Sequence, residues 1–128
     1  REIIFNSSEE KKWLESLLHP AIAGQIQDEL KASTSAYTIL VSPLLLETNQ
    51  KEFCSKVLIV DVPVEVQVDR TLKRDGVSEE QVQSIIKSQI SREARLELAD
   101  EIIMNDGNLE DLKLAVKDLH QRFISEVL

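Results

Sequence analysis

Cysteine is nearly absent from this chain. Cys54 alone in 128 residues excludes an internal disulfide and fits a reducing compartment, so a cytoplasmic protein is expected. Cys54 follows the apolar Phe53 with no histidine close in sequence, which points to a buried structural thiol rather than a nucleophile. Three glycines and three prolines are too few for a disordered or low-complexity chain, and there is no internal repeat. No apolar run is long enough to cross a bilayer and no secretory h-region is present, so no membrane partner is expected. No two His or Cys residues have ligand spacing, and no metal ligand is assigned. Basic charge is also short, 15 Lys and Arg against 23 Asp and Glu, and a net charge of −8 argues against nucleic acid as the main partner. The chain begins at Arg1 rather than Met, which predicts a processed or truncated piece.

What basic charge there is collects in one place. Arg70 to Arg95 carries six Lys and Arg (Arg70, Lys73, Arg74, Lys87, Arg92, Arg95) against four acids, leaving +2 there and −10 elsewhere. A basic segment on an acidic body suits a small anionic ligand better than a long polyanion. The cluster Arg70-Thr71-Leu72-Lys73-Arg74-Asp75-Gly76 follows the best strand in the chain, Val57 to Val62. If Pro63 opens a helix, Arg70 and Arg74 lie four apart on one face, away from the stripe Val64, Val68 and Leu72. Two guanidinium forks side by side suit a polyphosphate; a merely solvated basic face is the other reading.

Taken in order, Asn6-Ser7-Ser8-Glu9-Glu10 predicts a helix start, with Trp13, Leu14, Leu17 and Leu18 as its core stripe. His19-Pro20 predicts a kink or restart, because proline disfavours helix in the residue before it. His19 would then sit at a junction, as a cap, a core hydrogen-bonder or a ligand contact. Ala21 to Lys31 reads as a second helix, and Tyr37 to Val41 as a strand covered on both faces that ends at Pro43. Glu47, just past that strand, is either a surface acid or a ligand contact of the kind α/β proteins place there. After the Arg70/Arg74 helix, Gly76 predicts a left-handed stop and Ser78 to Gln81 a new capped helix. Val82, Ile85 and Ile86 give that helix a thin apolar edge, so it and Ser91 to Leu98 read as a mobile flap. Glu101 to Met104 is a further strand and Asn105-Asp106-Gly107 a turn. A last helix capped by Asn108 packs Leu109, Leu112, Val116, Leu119 and Phe123 inward. This order predicts an α/β fold with a parallel sheet, both faces covered.

Four runs in this order, Leu18-His19-Pro20, Pro43-Leu44-Leu45-Leu46-Glu47, Arg70 to Gly76 and Ala99 to Gly107, resemble the dephospho-CoA kinases. These are P-loop kinases that phosphorylate the ribose 3′-hydroxyl of dephospho-CoA with ATP and Mg2+, the last step of coenzyme A synthesis. The resemblance covers essentially the whole chain. It implies a P-loop kinase-like parallel sheet with flanking helices and a helical lid. Residues 1–56 would form the substrate-binding helices and strand, 57–74 a core strand and helix, 75–98 the lid, and 99–128 the adenine loop and C-terminal helix. Arg70 and Arg74 would face the ATP phosphates as the catalytic pair, Asn105 and Gly107 would hold adenine, and His19, Pro43, Leu44 and Glu47 would receive dephospho-CoA. Met104 departs from the family, which usually has aspartate before the asparagine.

A larger departure is that no Gly-x-x-x-x-Gly-Lys-Ser/Thr occurs; the glycines are Gly24, Gly76 and Gly107. In the family that loop lies in an N-terminal segment, which would also bind most of the Mg2+ and supply the acid expected as base. Its strand would be central, between those at Tyr37 and Val57. A fragment inactive by itself is therefore expected. Two other readings stand beside this one: a different P-loop small-molecule kinase, and a non-catalytic acidic α/β interaction domain whose arginines are solvated. The sequence does not fix the oligomeric state, and a homo-oligomer is compatible with it.

Overall fold

The computed structural model describes residues 7–127. Asn6, placed by sequence at the first helix start, lies outside them. The chain divides after Thr38 into two compact units.

The first unit is built on α1 (Ser8–Ala32). Ser7 caps it, its Oγ accepting from the Glu10 N–H at 3.3 Å, and Glu9 and Glu10 lie at the positive end of the helix dipole. The expected break at His19-Pro20 does not occur; α1 runs through Pro20. Proline removes one N–H and crowds one carbonyl, a local loss, and flanking turns that hold Leu14, Leu17, Leu18, Ala21 and Ala23 carry the helix across it. The expected core stripe is not a core either. Trp13 is 60% exposed, Leu17, Leu18 and Ile22 are exposed, and no α1 residue is buried. An apolar face is buried only where another element covers it, and among the described residues of its own unit α1 has only the segment 33–38 beside it. There the hydroxyls bond one another: Thr38 Oγ1 donates to Ser33 Oγ at 2.6 Å, and Ser35 Oγ donates to the Tyr37 carbonyl at 2.8 Å.

The predicted strand Tyr37–Val41 is also absent; the segment is irregular, and Val41 is 87% exposed. No described strand lies beside it, so its N–H and C=O groups have no ladder to join.

The second unit holds the sheet. β1 (Leu58–Asp61) and β2 (Glu101–Met104) are parallel, with Ile59 beside Ile102 and Val60 beside Ile103. Asp100 fixes this register. Its carboxylate accepts from the Val57 N–H at 2.7 Å, and its own N–H donates to the Val57 carbonyl at 2.9 Å. Between the strands come α2 (Val64–Asp75), α3 (Glu79–Ser88) and α4 (Arg92–Glu97); α5 (Leu109–Val127) follows β2. Pro63 is the N-cap of α2, as its fixed φ favours. Gly76 ends α2 at φ 62°, its N–H donating to the Leu72 carbonyl at 3.1 Å. Ser78 and Gln81 form the full capping box of α3, and Asn108 Oδ1 accepts from the Asp111 N–H at 2.9 Å to cap α5.

Among the described residues the buried ones are Val57, Ile59, Val68, Val82, Ile103 and Leu119, together with one charged side chain, Asp61. The sheet was expected to be covered on both faces, yet among the described residues each face is covered only in part. On one face Ile59 and Asp61 are buried while Ile102 and Met104 are exposed; on the other Ile103 is buried while Val60 is exposed. α5 lies on β2, with Leu119 buried and Arg122 donating to both carboxylate oxygens of Glu101 at 2.8 Å. Of the inward positions expected on α5, Leu109 and Val116 are exposed. The covered stripe is Leu112, Ala115, Leu119 and Phe123, and Val116 lies on its flank.

Candidate functional site

The carboxyl ends of parallel strands are where open α/β sheets gather ligand-binding loops, and here both strands end on polar residues. β1 ends at Asp61; β2 ends at Met104 and passes into Asn105. The Asn105 N–H donates to the Asp61 carbonyl at 2.8 Å, which extends the ladder by one rung and locks the Asn105 backbone. From α2, Arg70 Nη1 donates to the Asn105 carbonyl at 2.6 Å. Arg70 and Asn105, assigned from sequence to one ligand, are therefore in direct contact although 35 residues apart. The carbonyl holds one N–H of the exposed guanidinium and leaves the other side of the fork for an anion.

Arg74, one turn on, faces its neighbour. Nε and Nη2 donate to the two carboxylate oxygens of Asp75 at 2.6 and 2.8 Å, in solvent. That pairing holds the Asp75 carboxyl below its usual range. Gly107 lies in the turn after Asn105, and a Cβ there would meet only Asp111, at 3.4 Å from Oδ2, so packing does not demand glycine.

Pro43, Leu44 and Glu47 lie in a turn in the same unit. It is closed by the Thr48 N–H and Oγ1, both donating to the Leu44 carbonyl, at 3.1 and 2.8 Å. Glu47 Oε1 accepts from the Ile90 N–H at 3.4 Å, which ties this turn to the segment between α3 and α4. His19 belongs to the first unit, exposed in mid-helix rather than at a junction. Cys54 is half-buried, and burial pushes its thiol pKa up, as expected of a structural thiol.

One pair had been given no role from sequence. Asp61 is 1% exposed, and Arg92 reaches it from the start of α4. Arg92 Nε lies 3.0 and 3.1 Å from the two carboxylate oxygens, and Nη2 lies 2.5 Å from Oδ2. The Arg92 hydrogen bond holds the Asp61 carboxyl below its ordinary pKa, outweighing the opposing effect of burial, and Arg95 adds to it through charge. Arg92 is correspondingly held more firmly protonated. The signal was there to be read: an acid inside the apolar run Val57-Leu58-Ile59-Val60-Asp61-Val62 needs a cation or a hydrogen-bonding cage. Which cation it would find, 31 residues on, sequence spacing could not show.

Beside this pair is a cleft of about 270 Å³, lined by Val64, Gln67, Ile86, Lys87, Ile90 and Arg95 among others. Arg95 Nε is buried there with no hydrogen-bond partner among the described residues. The site thus presents cationic donors on two helices, beside a rigid loop that follows β2. Such an arrangement can bind and charge-neutralise a phosphorylated ligand. Among the described residues no group of three or more His, Cys, Asp or Glu could hold a metal ion, and no helix is long and apolar enough to cross a membrane.

Comparison with known proteins points to one family. The family model for dephospho-CoA kinase, CoaE, matches residues 1–111. A dephospho-CoA kinase of Vibrio parahaemolyticus is 48% identical over 125 residues, which are 98% of this chain and 61% of the relative. One from Hahella chejuensis is 48% identical over 124 residues, 97% of this chain and 60% of its own length. The crystal structure of TT1252 from Thermus thermophilus superimposes with a TM-score of 0.81 at 30% identity, covering 94% of this chain and 63% of that one. The chain thus spans about three fifths of the length of these relatives. With the model match extending over most of its residues, the chain belongs to the dephospho-CoA kinase family.

Proposed function

We propose that the protein carrying this chain transfers the γ-phosphoryl group of ATP to the ribose 3′-hydroxyl of dephospho-CoA, giving coenzyme A and ADP. The observation that carries this reading is the convergence of Arg70 and Asn105 at the carboxyl ends of the two parallel strands. The acceptor hydroxyl gives up its proton to the carboxylate base taken to lie in the part of the family's length that this chain does not span. Its oxygen attacks the γ-phosphorus as the bond to the β–γ bridging oxygen breaks. Charge builds on the transferring group and the departing ADP, and positioned cations are most of what such a reaction needs from a protein. Arg70, fixed by the Asn105 carbonyl, supplies a charge that cannot be lost at neutral pH and needs no reorganisation. Arg74 joins it once its fork leaves Asp75. The backbone of Asn105 is held on both sides, which frees its side chain, with Gly107, to meet adenine. His19, Pro43, Leu44 and Glu47 receive dephospho-CoA in this reading.

Residues 75–98 form the lid that excludes water from the phosphoryl group. Mg2+ would be held mainly by the part of the family's length that this chain does not span and would neutralise charge on the phosphates; the cytoplasm is the compartment that fits. The phosphate cradle of a P-loop is taken to lie in the part of the family's length that this chain does not span.

The test is phosphorylation by the full-length protein, with ATP and Mg2+, of dephospho-CoA set against shikimate, a nucleoside and a nucleotide. Transfer to dephospho-CoA alone is expected. Transfer to another acceptor with none to dephospho-CoA overturns the proposal.

A further inference from the structure

The two halves of the lid are fastened in different ways: α3 packs on α2, and α4 is tied to the end of β1. α3 is anchored by an apolar side chain, Val82, which is almost fully buried. α4 has six residues and none of them buried. Its anchorage is polar: the Arg92–Asp61 pair, helped by the bond from the Ile90 N–H to Glu47. A guanidinium bound through Nε and Nη2 to one carboxylate fixes orientation as well as distance, because the fork is planar. Asp61 cannot move to suit, since it ends β1 and its carbonyl accepts from Asn105. Arg92 is thereby set against the same strand end that positions Asn105 and, through it, Arg70.

The consequence falls one turn further on. Arg95 is three residues past Arg92, so the orientation of Arg92 sets that of Arg95. Arg95 lines the cleft with a buried Nε that has no partner among the described residues. Asp61 matches the charge of Arg92 and leaves Arg95, with Lys87, as the cationic side of that cleft against Glu93. We propose that Asp61 is a positioning residue, which clamps α4 to the carboxyl end of β1 through Arg92 and so sets where Arg95 meets the ligand. It touches neither substrate nor reacting atoms. The activity readout of this inference rests on the kinase reading; the clamp itself does not.

The test uses the full-length protein and four variants: Asp61→Asn, Arg92→Lys, Arg92→Gln, and Asp61→Asn with Arg92→Gln. Asp61→Asn is expected to lower kcat about 100-fold, the scale of a small misplacement of a positioned group, with the KM for dephospho-CoA little changed. Amide exchange should speed up about tenfold across residues 90–98, while the strands and α5 keep their protection. Arg92→Lys, which keeps the charge and loses the fork, should fall between wild type and Arg92→Gln. Either single loss leaves a buried charge or dipole unmatched, so the double variant should regain thermal stability relative to Arg92→Gln and yet remain slow. It also carries the test if a single variant does not fold. A kcat within twofold of wild type in Asp61→Asn or in the double variant overturns the proposal, as does exchange that rises equally in the strands and in α4. If the wild-type protein phosphorylates no dephospho-CoA, the kinase reading fails, and the exchange pattern still decides the clamp.

Discussion

α2 and α4 each carry two arginines on a short helix that starts near the sheet, and they use them in opposite ways. In α2 both guanidinium groups are in solvent; one is steadied by a backbone carbonyl and the other by the carboxylate next to it. In α4 one arginine is committed to a buried carboxylate and the other has a buried N–H with no partner among the described residues. A charge held by a neutral carbonyl keeps its field, whereas a charge matched by a carboxylate has most of its field cancelled. On that basis Arg70 takes, in the proposed reading, the direct part at the ligand and Arg92 that of a fastener. Arg74 becomes available only on leaving Asp75, and Arg95 turns an unmatched charge to the cleft.

The variant that should separate the helices most is Arg70→Ala. Loss of a preorganised charged donor is expected to lower kcat/KM for ATP about 10²–10³-fold in the full-length protein, with the circular dichroism spectrum unchanged. Arg74→Ala should cost about tenfold, a single charge-assisted contact, because Arg74 must first leave Asp75. An equal loss in the two would show that the Asn105 carbonyl confers nothing on Arg70.

The buried pair of α4 should show itself in acid. Arg92 holds the Asp61 carboxyl below its ordinary value of 3.8. A depressed folded pKa adds stability that is complete above the ordinary value and is lost as pH falls through the folded one. The denaturation midpoint of wild type should therefore exceed that of Asp61→Asn at pH 6, and the gap should narrow below about pH 3.8. A gap that is constant with pH would mean that the pair is not ionic. The smallest effect is expected for Lys73→Ala. Lys73 pairs in solvent with Asp69, one turn back, at 2.7 Å, and its loss should change stability by no more than about 0.5 kcal/mol.

The same contrast marks what could be read from sequence. The course of α2 was legible because its signals are local: a strand, a proline at the helix start and a glycine stop. Every cap assigned from Ser7, Ser78 and Asn108 was found, since a cap is a matter of three or four residues. Burial was less legible. Trp13, Leu17, Leu109 and Val116 have helical spacing and stay exposed, and Tyr37–Val41 has strand composition and no strand. Periodicity tells which face an element would bury; whether another element covers that face is a tertiary fact. The Asp61–Arg92 pair is tertiary in the same sense, and the odd acid in an apolar strand was its one local trace.

The central claim, that Arg70 faces the phosphates of the nucleotide, is tested most directly by equilibrium binding of ATP and of adenosine to the full-length protein and to Arg70→Ala. The account predicts that the variant loses affinity for ATP and keeps that for adenosine, because only the phosphates meet the guanidinium. Equal ATP affinity in the two proteins would contradict it.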